Sequence, residues 1–263
     1  MNPKYLKPES TETKNKTDSI PAGVILAGGL GTRLRSAYAA GPKSMAPIKG
    51  KPFLDYLLTW LRAEGVREVI LCVGYKRSQI QRFVGKGHKW GLRVKYSIER
   101  ELLGTGGAVK RAEQLIAEDR MLVINGDTFV DVNLGELTHF HCSSGALATL
   151  AGVKADGCRY GSLHVDKTGR ITGFSEKARN NYKVEEENRA INAGVYVFEK
   201  RLLRRIRSGR RVSLEREILP SLVKNKKAYG LVKQTYFLDI GVPDDFVRAQ
   251  TELPKRFRTS DPR

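Results

Sequence analysis

Residues 24–34 read Val24-Ile25-Leu26-Ala27-Gly28-Gly29-Leu30-Gly31-Thr32-Arg33-Leu34, an apolar run that breaks into glycine and then a cation. The first four residues have the composition of a buried strand. A strand that ends in a glycine-rich turn exposes unpaired backbone N–H groups. Those groups can wrap an anion, because glycine carries no side chain to hold it away. Arg33 adds a planar fork of donors suited to phosphate oxygens. Two common phosphate loops are absent. No G-x-x-x-x-G-K-[ST] run occurs, and counting G-x-G-x-x-G from Gly29 puts Leu34 where the third glycine belongs. A tight strand-to-helix connection would use the same glycines, so the turn alone leaves both readings open.

Outward from this turn, strand and helix patterns alternate. Phe53, Leu54, Leu57, Leu58 and Leu61 fall at helical spacing, and Gly65 ends that helix. Residues 68–73 read as a strand, 78–84 as a short helix and 92–98 as a strand. Ala108, Val109, Ala112, Leu115 and Ile116 form one helical face. A strand over 121–125, a helix over 134–142 and a strand over 146–153 follow. Such alternation predicts parallel strands with helices on both faces. After residue 155 the runs shorten: 162–165, 171–174 and 193–198 are separated by Gly, Asp and Asn turns. A helix over 213–224, strands over 229–233 and 236–240, and a last helix over 243–253 complete the pattern. The expected fold class is α/β: a Rossmann-like mixed, mostly parallel sheet flanked by helices, with a smaller antiparallel extension in the second half. Residues 20–254 are expected to form a single domain, with 1–19 as a flexible tail or added extension and 255–263 as a C-terminal tail.

Composition narrows the classes further. Hydrophobic residues are 40% of the 263 and charged residues 29%, the balance of a soluble globular protein. No apolar run approaches the ~20 residues a membrane helix needs. The three cysteines, Cys72, Cys142 and Cys158, make no C-x-x-C pair, which argues against a zinc site or disulfide framework and suits the cytosol. His139 and His141 are two apart on an expected helix, on different faces, a poor arrangement for a metal. The net charge of +19 is partly local: Lys200, Arg201, Arg204, Arg205, Arg207, Arg210 and Arg211 fall together with no acid among them. A polyanion partner is one reading. The lack of an aromatic-interleaved basic stripe or a nucleic-acid motif argues against nucleic acid, and a basic surface that draws in phosphorylated substrates is the plainer account. The sequence leaves homo-oligomerisation open.

Ligands of open α/β sheets bind at the carboxyl ends of the strands. Several polar groups fall there. Lys43 lies in Gly41-Pro42-Lys43-Ser44-Met45-Ala46-Pro47, and Glu99 precedes a second glycine loop, Gly104-Thr105-Gly106-Gly107. Asp127 ends a strand in Asn125-Gly126-Asp127-Thr128. Glu176 and Lys177 end another, Asn192 opens the next, and Asp239 sits near the end of the last. Each alone could be a turn, a cap or a surface charge. As a set they match the needs of phosphoryl or nucleotidyl transfer: cations on phosphates, carboxylates on a divalent ion, and backbone N–H groups around an anion.

The blocks LAGGLGTRLR, GPKSMAP, LLGTGGA, NGDTFVDV, RYGSLHVD, GFSEK, INAGVYVF and YFLDIGVPDD, in this order, resemble the sugar-1-phosphate nucleotidyltransferases over nearly the whole chain. NGDTF, RYG, FLDIGVPDD and KPFLDYLL are most similar to the branch that joins GTP to D-glycero-α-D-manno-heptose 1-phosphate. The resemblance implies attack by a sugar 1-phosphate on the α-phosphate of a nucleoside triphosphate. It implies Mg²⁺ held by Asp127 and Asp239, with Arg33, Lys43 and Lys177 acting on the phosphates. It assigns the nucleotide to Leu26, Ala27, Gly28, Gly29, Gly31, Thr32, Arg33, Glu99, Gly104, Thr105 and Asp127. Gly161, Glu176 and Asn192 fall where the family binds the sugar. One departure stands out: the family's Pro-Lys-Pro is here Pro42-Lys43-Ser44, which removes a backbone brace after the lysine.

Glu99 falls where related enzymes read the base. Guanine presents N1–H and N2–H₂ side by side, and a carboxylate can accept both, whereas uracil and thymine offer one N–H between two acceptors. Glu99 therefore favours GTP, with Glu101 as the alternative reader. Rival readings are another sugar, such as mannose 1-phosphate, and a regulatory relative that binds nucleotide-sugar without turnover.

Overall fold

A computed structural model describes residues 19–29, 34, 38, 40–154, 161–176 and 189–257 of the chain. The first half runs β1 (Gly23–Leu26), β2 (Pro47–Ile48), β3 (Lys51–Pro52), α1 (Phe53–Ala63), β4 (Glu68–Val73), α2 (Arg77–Val84), β5 (Arg93–Ile98), α3 (Gly104–Ala112) and β6 (Arg120–Asn125). It continues through β7 (Thr128–Val130), α4 (Leu134–Ser144) and β8 (Ala148–Val153). The second half adds β9 (Ser162–Val165), β10 (Ile171–Ser175), the long β11 (Arg189–Glu199), α5 (Leu219–Lys224), β12 (Ala228–Lys233), β13 (Phe237–Asp239) and α6 (Pro243–Arg256).

Strands β6, β1, β4 and β5 lie side by side and parallel, each joined to the next by a helical crossover or a longer excursion. β11 closes this parallel block by pairing antiparallel with β6, and also pairs with β8 and β9. β9 and β10 form the antiparallel extension, while β12 adds to β8 in parallel. The expected mixed α/β sheet with an antiparallel second half is borne out. One element differs from its sequence pattern. The helix read over 213–224 begins as a π-turn, Leu214–Ile218, and becomes α-helical only in α5. Pro220 has no N–H to give an α-helical ladder at that point, so the turn before it widens.

Both faces of the sheet are buried, because successive strand residues point to opposite sides. Ile25, Val69, Leu71, Leu122 and Ile124 join the core beneath α1 and α6. Val24, Ile70, Cys72, Met121 and Val123 join the core beneath α3 and α5. The first core is pinned by an aromatic cluster. Phe129 on β7 meets Trp60 of α1 at 5.6 Å and Phe257 after α6 at 5.5 Å between ring centroids. His141 is buried and His139 exposed, on different faces of α4 as their spacing implies. No described helix is long and apolar enough to cross a membrane.

Candidate functional site

The carboxyl ends of β1, β5 and β6 open into a cavity of about 400 Å³. Leu26, Ala27, Gly28 and Gly29 form one wall, Gly104 and Thr105 a second, and Asn125, Gly126 and Asp127 a third. Tight backbone approach explains two of the glycines. A Cβ on Gly28 would run into Glu99 Oε1, and one on Gly126 would lie 2.6 Å from Leu26 O. The Glu99 carboxylate at Gly28 and the Leu26 carbonyl at Gly126 leave no room for a side chain at either position. Gly31, Thr32, Arg33 and Lys177, all expected at the phosphates, lie outside the described residues.

Glu99 is 7% exposed, yet it lines the cavity. Its Oε2 accepts the N–H of Leu103 at 3.3 Å. Burial raises its pKa above the ordinary glutamate range, while the Leu103 N–H and the charge of Arg111 pull it back. Of the two expected candidates for reading the base, Glu99 lines the cavity, whereas Glu101 is exposed and is not among its described lining residues.

Lys43 and Asp127 form a second cluster in the cavity lining. Lys43 opens a short 3-10 turn after Pro42, and its Nζ donates to Asp127 Oδ2 at 3.0 Å. β7 and β13 pair antiparallel, which brings Asp239 opposite Thr128 and next to Asp127. The convergence is measurable at Gly241. A Cβ there would lie 2.7 Å from Asp239 Oδ1, 2.9 Å from Lys43 Nζ and 3.3 Å from Asp127 Oδ2. Among the described residues no group of three or more His, Cys, Asp or Glu is placed to hold a metal. Two carboxylates beside an open cavity nonetheless fit Mg²⁺. That ion is bound through one or two carboxylates and takes its remaining ligands from water and substrate phosphates. Ser44, which stands where the resemblance leads one to expect proline, is 2% exposed with its hydroxyl unpartnered, so the position is packed even without that ring.

The three residues expected at the sugar also come together. Asn192 N–H donates to Gly161 O at 3.3 Å, and a Cβ on Gly161 would lie 3.1 Å from Glu176 Cα. The Asn192 amide donates to the hydroxyl of Tyr196 at 2.9 Å, which fixes its orientation. Glu176 reaches the cavity, whereas Gly161, Asn192 and Asp239 stand just outside its wall.

Glu215 and Arg216 were not among the residues singled out from sequence. Glu215 lines the cavity and accepts from Thr105 Oγ1 at 2.7 Å and Ser213 Oγ at 3.0 Å. Thr105 Oγ1 in turn accepts from Leu214 N–H at 2.8 Å. Arg216 is ion-paired with Glu176. The only local signal was a Ser213 cap followed by three charges, which read as an ordinary helix start. What carries them to the site is Val212, whose N–H donates to Leu103 O and whose carbonyl accepts from Gly106 N–H, each at 2.9 Å.

Residues 22–256 match the family model for nucleotidyl transferases. The chain belongs to the nucleotidyl transferase family. It is 40% identical over 231 residues to a D-glycero-alpha-D-manno-heptose 1-phosphate guanylyltransferase of Aneurinibacillus thermoaerophilus, covering 88% of this chain and 97% of that relative. It is 39% identical over 233 residues to a mannose-1-phosphate guanylyltransferase of Mycobacterium tuberculosis, covering 88% of this chain but only 64% of the longer relative. Among solved structures it resembles HddC from Yersinia pseudotuberculosis complexed with GMP-PN, with a TM-score of 0.76 and 35% identity over 90% of this chain and 100% of that one. As a nucleotidyltransferase, the chain has its cavity where the fold places ligands, at the carboxyl edge of the parallel strands.

Proposed function

We propose that this nucleotidyltransferase joins GTP and D-glycero-α-D-manno-heptose 1-phosphate into the GDP-sugar and pyrophosphate. The observation that carries the reading is the buried Glu99 carboxylate in the lining of a cavity that Lys43 and Asp127 also line, with Asp239 gathered beside these two. A carboxylate there suits guanine, and the cluster at Lys43 suits a triphosphate with its metal ion. The heptose-specific relative, matched over nearly its full length, supports the acceptor.

The reaction follows from these groups. A phosphate oxygen of the sugar 1-phosphate, already ionised near neutral pH, attacks the α-phosphorus. The bond from that phosphorus to the bridging oxygen breaks, and pyrophosphate leaves with the electron pair. No proton needs to move, so the residues act by positioning and by neutralising charge. In this reading Gly28, Gly29, Gly31 and Thr32 bind the triphosphate, and Arg33 and Lys43 offset its charge. Asp127 and Asp239 are the residues that would hold Mg²⁺, which supplies positive charge to the phosphates when bound. Lys177 draws in the sugar phosphate, while Gly161, Glu176 and Asn192 meet the sugar hydroxyls. Residues 20–254 act as one catalytic domain, and cysteines outside disulfides, Cys72 and Cys142, suit the cytosol.

Mannose 1-phosphate is the second reading, favoured by the 39% identity to the mannose-specific relative. Pyrophosphate release with GTP against heptose, mannose and glucose 1-phosphates separates the two. Release with none of the three, or with ATP or UTP in preference to GTP, would overturn the proposal. Asp239→Asn should lower kcat at saturating Mg²⁺ by about a hundredfold or more, as loss of charge stabilisation at a transferring phosphate does. Full activity in that variant removes the metal role.

A further inference from the structure

The basic segment 200–211 has no part in the reaction above, and the structure gives part of it a defined setting. Lys200–Arg205 form a 3-10 helix directly after β11. Leu202 and Leu203 are fully buried in the core beneath α3 and α5, so they anchor one side of the helix. With three residues per turn, Arg201 and Arg204 stack on its outer side, and Arg205 follows them. These three arginines form one wall of a second cavity, of about 440 Å³, and Lys227, Leu147 and Gly145 form the other. The far wall is fixed as well, because Lys227 O accepts both Leu147 N–H at 3.0 Å and Ala148 N–H at 3.3 Å.

Among the described residues no acid lines this cavity. Arg201 pairs with Glu199, a carboxylate that is already shared. It lies 3.7 Å from Arg120 Nε, 3.6 Å from Arg201 Nε and 3.5 Å from His141 Nε2. Among the described residues Arg204, Arg205 and Lys227 have no ion pair and no side-chain hydrogen bond. Three unneutralised cations held around one concave space repel one another unless an anion joins them. The place is also distinct from the catalytic cavity. Glu199 pairs with Arg120 at the start of β6, whereas Asp127 follows its other end. At roughly 3.3 Å per residue the two cavities stand at opposite edges of one sheet.

We propose that this cleft is a second anion site, which takes a compact polyphosphate. Guanidinium forks match several phosphate oxygens at once, and the volume suits a small molecule. Among the described residues its walls carry no aromatic ring on which a base could stack. Recognition therefore falls on the phosphates, whether these come as free inorganic polyphosphate or as the tail of a nucleotide.

Calorimetric titration with inorganic tripolyphosphate at about 0.15 M salt tests the site under physiological screening. The full chain is titrated as wild type, as Lys43→Ala and as Arg204→Glu/Arg205→Glu. Lys43→Ala weakens any binding at the catalytic cavity and should keep the second site. The double variant should lose that site, with affinity at least tenfold weaker, and keep the wild-type rate of pyrophosphate release. Titration of Lys43→Ala with GTP then tells the sources apart: binding as tight as tripolyphosphate identifies a nucleotide tail, and no binding identifies free polyphosphate. An unchanged isotherm in the folded double variant overturns the proposal, as does an absence of binding in Lys43→Ala. A double variant that loses random single-stranded DNA but keeps tripolyphosphate also overturns it, in favour of a nucleic-acid surface. Should the charge reversal fail to fold, Arg204→Ala/Arg205→Ala must still weaken tripolyphosphate at least threefold.

Discussion

At the scale of single residues, Glu99 links burial to specificity. Its carboxylate must be ionised to accept two guanine N–H groups at once, yet burial favours the neutral form. The preference for GTP over ATP should therefore weaken as pH falls through a pKa lying above the ordinary glutamate value. Glu99→Gln leaves one acceptor and adds a donor aimed at donors. Loss of one charge-assisted hydrogen bond should cut the GTP preference, read as a ratio of kcat/KM values, by about ten- to a hundredfold. A preference unchanged in that variant, at every pH, would remove Glu99 from base reading. Lys43 shows the same economy of placement. Its ammonium sits on Asp127, 3.0 Å away, and so offsets part of the repulsion between the neighbouring carboxylates of Asp127 and Asp239.

At the scale of elements, the site depends on short pieces held by large side chains. β7 and β13 are only three residues each, too few to be stable alone, yet they set Asp239 beside Asp127. Phe129 is the anchor: fully buried in β7, it packs between Trp60, Tyr236 and Phe257. Phe129→Ala should destabilise the protein by about 3–5 kcal/mol in urea denaturation. It should also weaken Mg²⁺ dependence before global unfolding, because the β7–β13 ladder loses its inner support. Equal stability of the variant would mean that β7 is held chiefly by its backbone. The segment from Val212 to Arg216 works alike, bonded to the second glycine loop at one end and to Glu176 at the other.

At the scale of the whole molecule, one buried histidine couples stability to pH. His141 is 1% exposed, with Nδ1 2.8 Å from Thr149 Oγ1. Burial first, then the charges of Arg120 and Arg201, push its pKa down to about 4 from 6.5. The folded state therefore binds fewer protons than the unfolded one between these values. Its contribution to stability is full above pH 6.5 and is lost as pH falls towards 4. Between pH 7 and pH 5 this single group should remove about 2 kcal/mol. Comparing wild type with His141→Asn by urea denaturation isolates that share, and equal pH slopes would assign the acid sensitivity elsewhere. The +19 charge adds self-repulsion that grows on the acid side in the same direction.

The sequence by itself determined the alternation of strands and helices, because burial on both faces imposes apolar runs at strands and helical spacing between them. It also determined which polar residues follow strand ends, and so most of the cavity wall: Gly28, Lys43, Glu99, Thr105, Asp127 and Glu176 are all there. Only the tertiary structure decided which of them meet. Asp127 and Asp239 become neighbours through a ladder between strands far apart in the chain. Glu215 reaches Thr105 across 110 residues, with nothing in its local spacing to mark it. The same holds for the basic run, whose charge is plain in the sequence but whose division into anchored leucines and one cleft is not. Local pattern records which face a residue must bury, whereas long-range pairing is set by the joint packing of many such faces at once.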